Sequence, residues 1–241
     1  MSCYGALASW YDLLTGDVPY SEFADFYEKR FAENGGEFKL ILDLFCGTGT
    51  LTGEMARRGY ELIAVDGSED MLMQAQAKSC MLDTPPLFLC QEASELDLYG
   101  TVDAAYCSLD GMNYIPRDEL SELFHRLKLF IRPQGLFIFD IRSVEWLRSM
   151  DGQVYVDETP DCLCLWRAEL DKDGECIYYG MDIFSRCGKL WTRQQEEHTE
   201  YLYSFEYLKK LLSENGFEDV TLVTDAPQGD LGRQFIIAKR A

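Results

Sequence analysis

Hydrophobic and polar positions change their rhythm three times along the chain. Ser21 reads as the cap of a helix through about Phe31, in which Phe23, Phe26, Tyr27 and Phe31 fall near helical spacing, and Asn34-Gly35-Gly36 ends it. From Lys39 onward, short apolar runs alternate with helical segments. Lys39–Phe45, Leu62–Val65, Leu87–Cys90, Val102–Ser108 and Leu136–Phe139 read as five strands. Thr50–Arg58, Ser68–Lys78 and the amphipathic Arg117–Ile131 read as helices between them, and Arg132-Pro133-Gln134-Gly135 as a turn. Ser68 is a helix cap, with Glu69 and Asp70 in the first turn, where the helix dipole favours acids. Strands that are apolar on both faces and separated by helices predict a parallel sheet covered on both sides. Right-handed crossovers make that sheet doubly wound.

The second change falls between Val154 and Tyr203, where the pattern alternates residue by residue. Cys162, Cys164, Trp166 and Ala168 share one face of a strand. Asp171–Gly174 and Cys187–Lys189 are hairpin turns, which predicts three or four antiparallel strands. The α/β rhythm then resumes: Ser204 opens a helix that ends at Asn215-Gly216, and Phe217–Val223 and Arg233–Lys239 form a terminal antiparallel hairpin. The antiparallel stretch is therefore an insertion, and the expected organisation is a single domain over 1–241. Its parts are a helical cap (1–36), a ligand-binding half (37–142), an antiparallel lid (150–203) and a final helix with two strands (204–241).

Composition narrows the function. Acidic residues outnumber basic ones 42 to 22, for a net charge of −20, and the densest basic runs are only Arg57-Arg58 and Lys209-Lys210. Such a surface repels phosphate backbones and anionic lipid heads, so neither nucleic acid nor membrane is the expected partner. Nine cysteines without framework spacing read as reduced, small apolar residues of a cytoplasmic protein. The start Met1–Tyr4 shows no leader, and no run is long and apolar enough to span a membrane. Cys162, Cys164 and His198 have the wrong spacing for any common zinc site, so no metal is expected.

The chemistry sits in Ile41-Leu42-Asp43-Leu44-Phe45-Cys46-Gly47-Thr48-Gly49-Thr50, a strand entering a two-glycine turn before a helix. Glycines there let the backbone approach a ligand and present amides at a helix start. Asp66 ends the next strand, 23 residues after Asp43. An acid in that place accepts hydrogen bonds from both ribose hydroxyls, which points to an adenosine-containing ligand at the carboxyl edge of the sheet. The third glycine of a dinucleotide fingerprint would fall at Thr52 and is absent, with Gly53 one residue late. Asp43 would also repel a pyrophosphate, whereas it suits an ammonium group.

With Asp43, Gly47, Gly49, Asp66 and this strand pattern, the chain resembles a class I S-adenosylmethionine-dependent methyltransferase. The match covers about residues 38–140 and 204–241, and that family closes its seven-stranded sheet with such a terminal hairpin. Tyr11-Asp12 and Asp17-Val18-Pro19-Tyr20 resemble its small-molecule branch, which includes sugar-amine N-methyltransferases and often carries a lid after the fifth strand. The resemblance implies a Rossmann-like, mostly parallel seven-stranded sheet with S-adenosylmethionine as cofactor. Gly47 and Gly49 would line the methionine part and Asp43 would hold its amino group. Asp66 would bind the ribose, and Met71 would flank the adenine. Glu92 and Ala93 would stand near the adenine amino group, where the family often has Asp, and Ser108 beneath the ligand. Tyr11 and Tyr20 would cover it.

Methyl transfer needs alignment of nucleophile, methyl carbon and sulfur, and exclusion of water. Asp110, Tyr114 and His198 are the acceptor-facing candidates, with Asn113, Asp140 and Arg142 beside them. Ser108–Gly111 lacks the motif of nucleic-acid amine methyltransferases, so the expected partner is a small-molecule N- or O-nucleophile, met by a monomer or homodimer. A nicotinamide-dependent oxidoreductase and a non-catalytic S-adenosylmethionine-binding module are the rival readings.

Overall fold

The apolar strand Leu40–Leu44 (β1) is the seam of the molecule. On one side it pairs in parallel with Glu61–Asp66 (β2), which pairs with Leu87–Cys90 (β3). On the other it pairs with Val102–Cys107 (β4). Strand order therefore reverses at β1, and the gap between the carboxyl ends of β1 and β4 is the switch point where doubly wound sheets hold ligands. A computed structural model describes residues 5, 7–229 and 232–241; the Met1–Tyr4 reading lies outside them.

The seven-stranded sheet runs β3-β2-β1-β4-β5-β11-β10, with Ile131–Arg142 (β5), Phe217–Val223 (β10) and Arg233–Arg240 (β11). Only β11 is antiparallel to its neighbours. Two apolar layers cover it. On one face, Leu120–Phe130 (α5) and Phe205–Glu214 (α7) bring Leu123, Leu127, Leu208 and Leu212 against Leu42, Phe137 and Phe139. On the other, Tyr20–Asn34 (α2) and Thr50–Arg57 (α3) bring Phe23, Tyr27 and Met55 against Ile41, Tyr106 and Ile138. Each fully buried large side chain in these layers contributes on the order of 2 kcal/mol from transfer alone.

The insertion is a separate antiparallel sheet of four strands in chain order: Val154–Glu158 (β6), Cys162–Leu170 (β7), Cys176–Cys187 (β8) and Leu190–Tyr201 (β9). Cys162 and Cys164 pack with Leu7, Met181 and Ile183 as apolar residues.

Two expectations are corrected and one helix is added. Ser21 does not cap α2; Pro19 stands at the N-cap, and the Ser21 hydroxyl accepts a bond from Arg58 Nη2 at 3.0 Å. Val144–Ser149 (α6), capped by Ser143, was not anticipated, because six residues are too few to show a helical period. Arg132–Gly135 is an irregularity inside β5 rather than a turn before it: the β4–β5 register shifts between Val102 and Ala104, and Gln134 adopts φ 64°.

That irregularity explains Gly135. A Cβ there would lie 2.5 Å from the Asp103 carbonyl oxygen and 2.8 Å from that of Arg132, both backbone atoms. Gly135→Ala should destabilise the fold by about 2–4 kcal/mol. Urea unfolding should show a lower midpoint with an unchanged slope.

Candidate active site

At the switch point β1 enters a turn in which Phe45, Gly47 and Gly49 all have positive φ (60°, 54° and 70°). The two glycines serve different ends. A Cβ on Gly47 would meet nothing within 4 Å, and Gly47 lines a cavity of about 450 Å³. Gly49 is not among the lining residues. A Cβ there would stand 2.8 Å from the Ala75 Cβ, so Gly49 lets α3 pack against Glu69–Ser79 (α4).

Asp66, at the end of β2, bridges the turn to the next helix. Its Oδ2 accepts the Gly47 N–H at 2.8 Å and its Oδ1 the Ser68 N–H at 2.9 Å. Burial raises its pKa, and those two N–H groups offset part of the rise. Each carboxylate oxygen has a second lone pair, so Asp66 can still accept two hydroxyl donors from the cavity it lines. Glu92 lies over Gly67, with Oε1 3.1 Å from a Cβ built there. Met71, Glu92, Ala93 and Ser108 also line the cavity, and the Ser108 Oγ sits 2.5 Å from the Tyr27 hydroxyl.

Asp43 reaches the same cavity while only 3% exposed. Its Oδ2 accepts Thr52 Oγ1 at 2.6 Å and the Tyr106 hydroxyl at 2.8 Å. Burial pushes its carboxyl up to about 7, against those two bonds, with the charge of Asp66 adding to the rise. Tyr11, in the short helix Tyr11–Leu14 (α1), and Tyr20, at the start of α2, line the N-terminal side. Burial raises the pKa of both hydroxyls, so both are neutral donors at pH 7.

The N-terminal segment is fastened at both ends. Trp10 Nε1 donates to Ser185 Oγ of the lid at 2.8 Å, and Leu7 N–H donates to Glu196 Oε1 at 3.1 Å. Asp12 takes Thr48 Oγ1 at 2.5 Å, Thr50 Oγ1 at 3.1 Å and Lys78 Nζ at 2.6 Å. Burial works against the Asp12 charge, but Lys78 and the two threonines win and hold its carboxyl below the usual range.

The acceptor-side candidates separate into two groups. Tyr114 and His198 line the cavity, with rings 6.2 Å apart edge to face, and His198 Nε2 lies 3.2 Å from Glu196 Oε2. Asp110 does not line it. Its carboxylate pairs with Arg233 at 2.6 Å and Arg142 at 3.5 Å, and these cations outweigh burial and lower its pKa. Asp140 is fully buried. It accepts the Leu109 and Asp110 N–H groups at 2.9 Å each and pairs with Arg233, so it clamps two consecutive left-handed residues (φ 58° and 59°). Asn113 joins the Tyr201 carbonyl to the Arg142 N–H, at 2.9 Å each.

Sequence reasoning missed Asp12, Arg233 and Glu200. Arg233 had a signal, a charge opening a strand whose middle, Phe235–Ala238, is apolar. Glu200 lies in β9 and is 6% exposed. Burial and Asp110 push its carboxyl up to about 8, against Arg142 and a bond from Tyr114.

The doubly wound sheet, the glycine turn and the paired acids define the class of this enzyme, and the comparisons agree. Residues 41–135 match the family model for a methyltransferase domain. A protein of Geobacillus sp. (strain WCH70) that carries a methyltransferase name is 28% identical over 98% of this chain and 99% of its own. The crystal structure of an S-adenosylmethionine-dependent methyltransferase from Clostridium acetobutylicum ATCC 824 superposes with a TM-score of 0.85 at 28% identity, covering 100% of both chains. The sugar N-methyltransferase KedS8 from Streptoalloteichus sp. ATCC 53650 shares the fold, with a TM-score of 0.79 at 18% identity over 95% of this chain and 92% of its own. The chain is an S-adenosylmethionine-dependent methyltransferase, and the domain match and these structures support class I. No helix among the described residues is long and apolar enough to cross a membrane.

The Asp12 clamp gives a direct prediction. Asp12→Ala removes a charge-assisted bond and two hydroxyl bonds that hold α1 over the glycine turn. S-adenosylhomocysteine should leave the variant about tenfold faster in stopped-flow fluorescence, roughly 1.4 kcal/mol of lost retention. An unchanged release rate would show that the segment does not gate the crevice.

Proposed function

We propose that this enzyme transfers the methyl group of S-adenosylmethionine to a nitrogen or oxygen of a small-molecule acceptor by in-line displacement. The carrying observation is the cavity wall. Asp43 and Asp66 are buried acids on it, and none of the lining residues is lysine or arginine. Such a wall fits a cofactor that brings an ammonium and a sulfonium, and it opposes a pyrophosphate, which counts against the oxidoreductase reading. When bound, the cofactor supplies an activated methyl group with a neutral leaving group.

The residues divide the work accordingly. Asp66 takes the ribose hydroxyls, Asp43 the amino group, and Gly47 lies beside the methionine part. Gly49 acts behind the wall, in packing. Met71 flanks the adenine, Glu92 and Ala93 stand at its amino edge, and Ser108 lies beneath the ligand. Tyr11 and Tyr20 cover it and exclude water. Tyr114 and His198 face the acceptor, while Asp110 positions the turn that carries Tyr114. The working unit is one domain over 1–241, with its cap, lid and final strands acting together as a monomer or homodimer in the cytoplasm. The structural likeness to a sugar N-methyltransferase supports a small-molecule acceptor, as does the acidic surface. An open acceptor side, walled by Tyr114 and His198, favours an enzyme over a binding module.

Two measurements test the cofactor assignment. Asp66→Ala should weaken S-adenosylmethionine binding by about 1–3 kcal/mol in calorimetry, the scale of hydrogen bonds to a charged group, and unchanged affinity would refute the ribose role. The Asp43 carboxyl lies near 7, above its ordinary 3.8. Its neutral form therefore favours the fold, and that contribution is present at low pH and lost as pH rises toward 7. Cation binding has the opposite sign, because it needs the ionised carboxylate. Cofactor affinity should rise between about pH 6 and pH 7.5, and Asp43→Asn should flatten the rise. A screen of small molecules scored by S-adenosylhomocysteine release tests the transfer itself and should return a turned-over acceptor.

A further inference from the structure

The acceptor half of the cavity lies between the turn after β4 and the lid strand β9. Tyr114, Ile115, Pro116 and Glu119 come from the first, and Glu197, His198, Thr199 and Tyr201 from the second. These walls carry two carboxylates, two tyrosines and a histidine. No lysine or arginine lines any part of the cavity, and the residues outside the described set contain none.

The nearby cations are already engaged. Arg233 is shared by Asp110 and Asp140. Arg142 pairs with Asp110 and stacks on Trp146, 4.3 Å from the ring centre. Arg117 donates to the Leu202 carbonyl and lies over Tyr207. Lys78 is held by Asp12 and Thr50. Behind Tyr114, buried Glu200 takes a bond from that hydroxyl on one oxygen, and its Oε2 has no partner among the described residues. The field in the acceptor half is therefore set by Glu119 and Glu197, with no lysine or arginine on the wall beside them, while Glu200, pushed up to about 8, stays largely neutral at pH 7. An incoming carboxylate or phosphate would meet repulsion and find no donor fork, whereas an ammonium would find counter-charges and aromatic faces.

We propose that the methyl acceptor is a cationic amine bearing no carboxylate, phosphate or sulfate group, bound between Tyr114 and β9 with Glu119 and Glu197 as its counter-charges. The inference rests on the methyl-transfer reading above and narrows it from any nitrogen or oxygen nucleophile to one class. His198 accepts a proton from the bound ammonium, and Glu196, 3.2 Å from its Nε2, stabilises the imidazolium. The freed nitrogen lone pair forms the bond to the methyl carbon as the carbon–sulfur bond breaks, and that electron pair stays on sulfur. The product is again an ammonium, and the proton on His198 passes to solvent.

The test uses the full chain. S-adenosylhomocysteine is titrated first, and failure to bind it would overturn the methyl-transfer reading before any acceptor is added. The loaded protein is then titrated calorimetrically with matched pairs: tyramine and tyrosine, histamine and histidine, ethanolamine and phosphoethanolamine. The amine of each pair should bind at least about tenfold more tightly than its anionic counterpart. The Glu119→Gln, Glu197→Gln double variant, altered only at partly or fully exposed positions, should lose that preference. The proposal is overturned if an anionic member binds as tightly as its amine. It is equally overturned if no amine binds at about 10 mM, near the weak limit of specific recognition, or if the double variant keeps the preference.

Discussion

One carboxylate holds the crevice open. Asp66 takes the amide of Gly47 from the loop after β1 and the amide of Ser68 from the loop after β2, so two neighbouring loops are fixed at the width of one side chain. A crevice between parallel strands needs such a spacer, because apolar packing alone would draw the loops together. The same bonds satisfy two amides ahead of α3 and α4, where helix starts leave donors unpaired. They also offset part of the rise in pKa that burial imposes on this acid.

The acids of this molecule then fall into two populations. Asp12, Asp110 and Asp140 are paired with Lys78, Arg142 and Arg233, and each pairing ties separate elements together. Asp43, Asp66 and Glu92 line the cavity, where no lysine or arginine stands. The division has a physical consequence. Removing one partner from a buried pair leaves an uncompensated charge, so Asp110 and Asp140 are costly to alter, whereas the partly exposed Asp12–Lys78 pair costs less. The second is costly only while its complement is absent, and a cationic ligand removes that cost. Charge count in the sequence could not make this distinction, since it depends on which acids meet an arginine in space.

Legibility followed the range of the interactions involved. The strands β1 to β5 could be read because each is a local apolar run, and their doubly wound arrangement because parallel pairing with right-handed crossovers leaves few alternatives. The lid was readable as antiparallel for the same local reason, its alternation and its two turns. Within the site, Asp43, Gly47 and Asp66 were readable because they sit at fixed positions of one strand–turn–helix unit. Gly49 was read as a cavity residue, yet its contact is with Ala75, two elements away. Asp110 was read as facing the acceptor, but Arg233, 123 residues later in the chain, stands against it. Glu200 gave no signal and Asp12 only its place beside Tyr11, not its clamping role, because their partners Lys78 and Tyr114 come from distant segments.

The lid and the N-terminal segment complete the argument about water. Displacement at a sulfonium gains little from acid or base strength and much from alignment in a dry site. Trp10 and Leu7 fasten the segment to the lid, and Asp12 fastens it to the start of α3 and to α4. The lid, for its part, places His198 and Tyr201 on the cavity wall opposite the glycine turn. Neither piece closes the cavity alone, since Tyr11 and Tyr20 line its N-terminal side and β9 another wall. Because Leu7 and His198 meet the same residue, Glu196, a change in β9 can reach the N-terminal segment. The two walls are thereby joined through a single carboxylate.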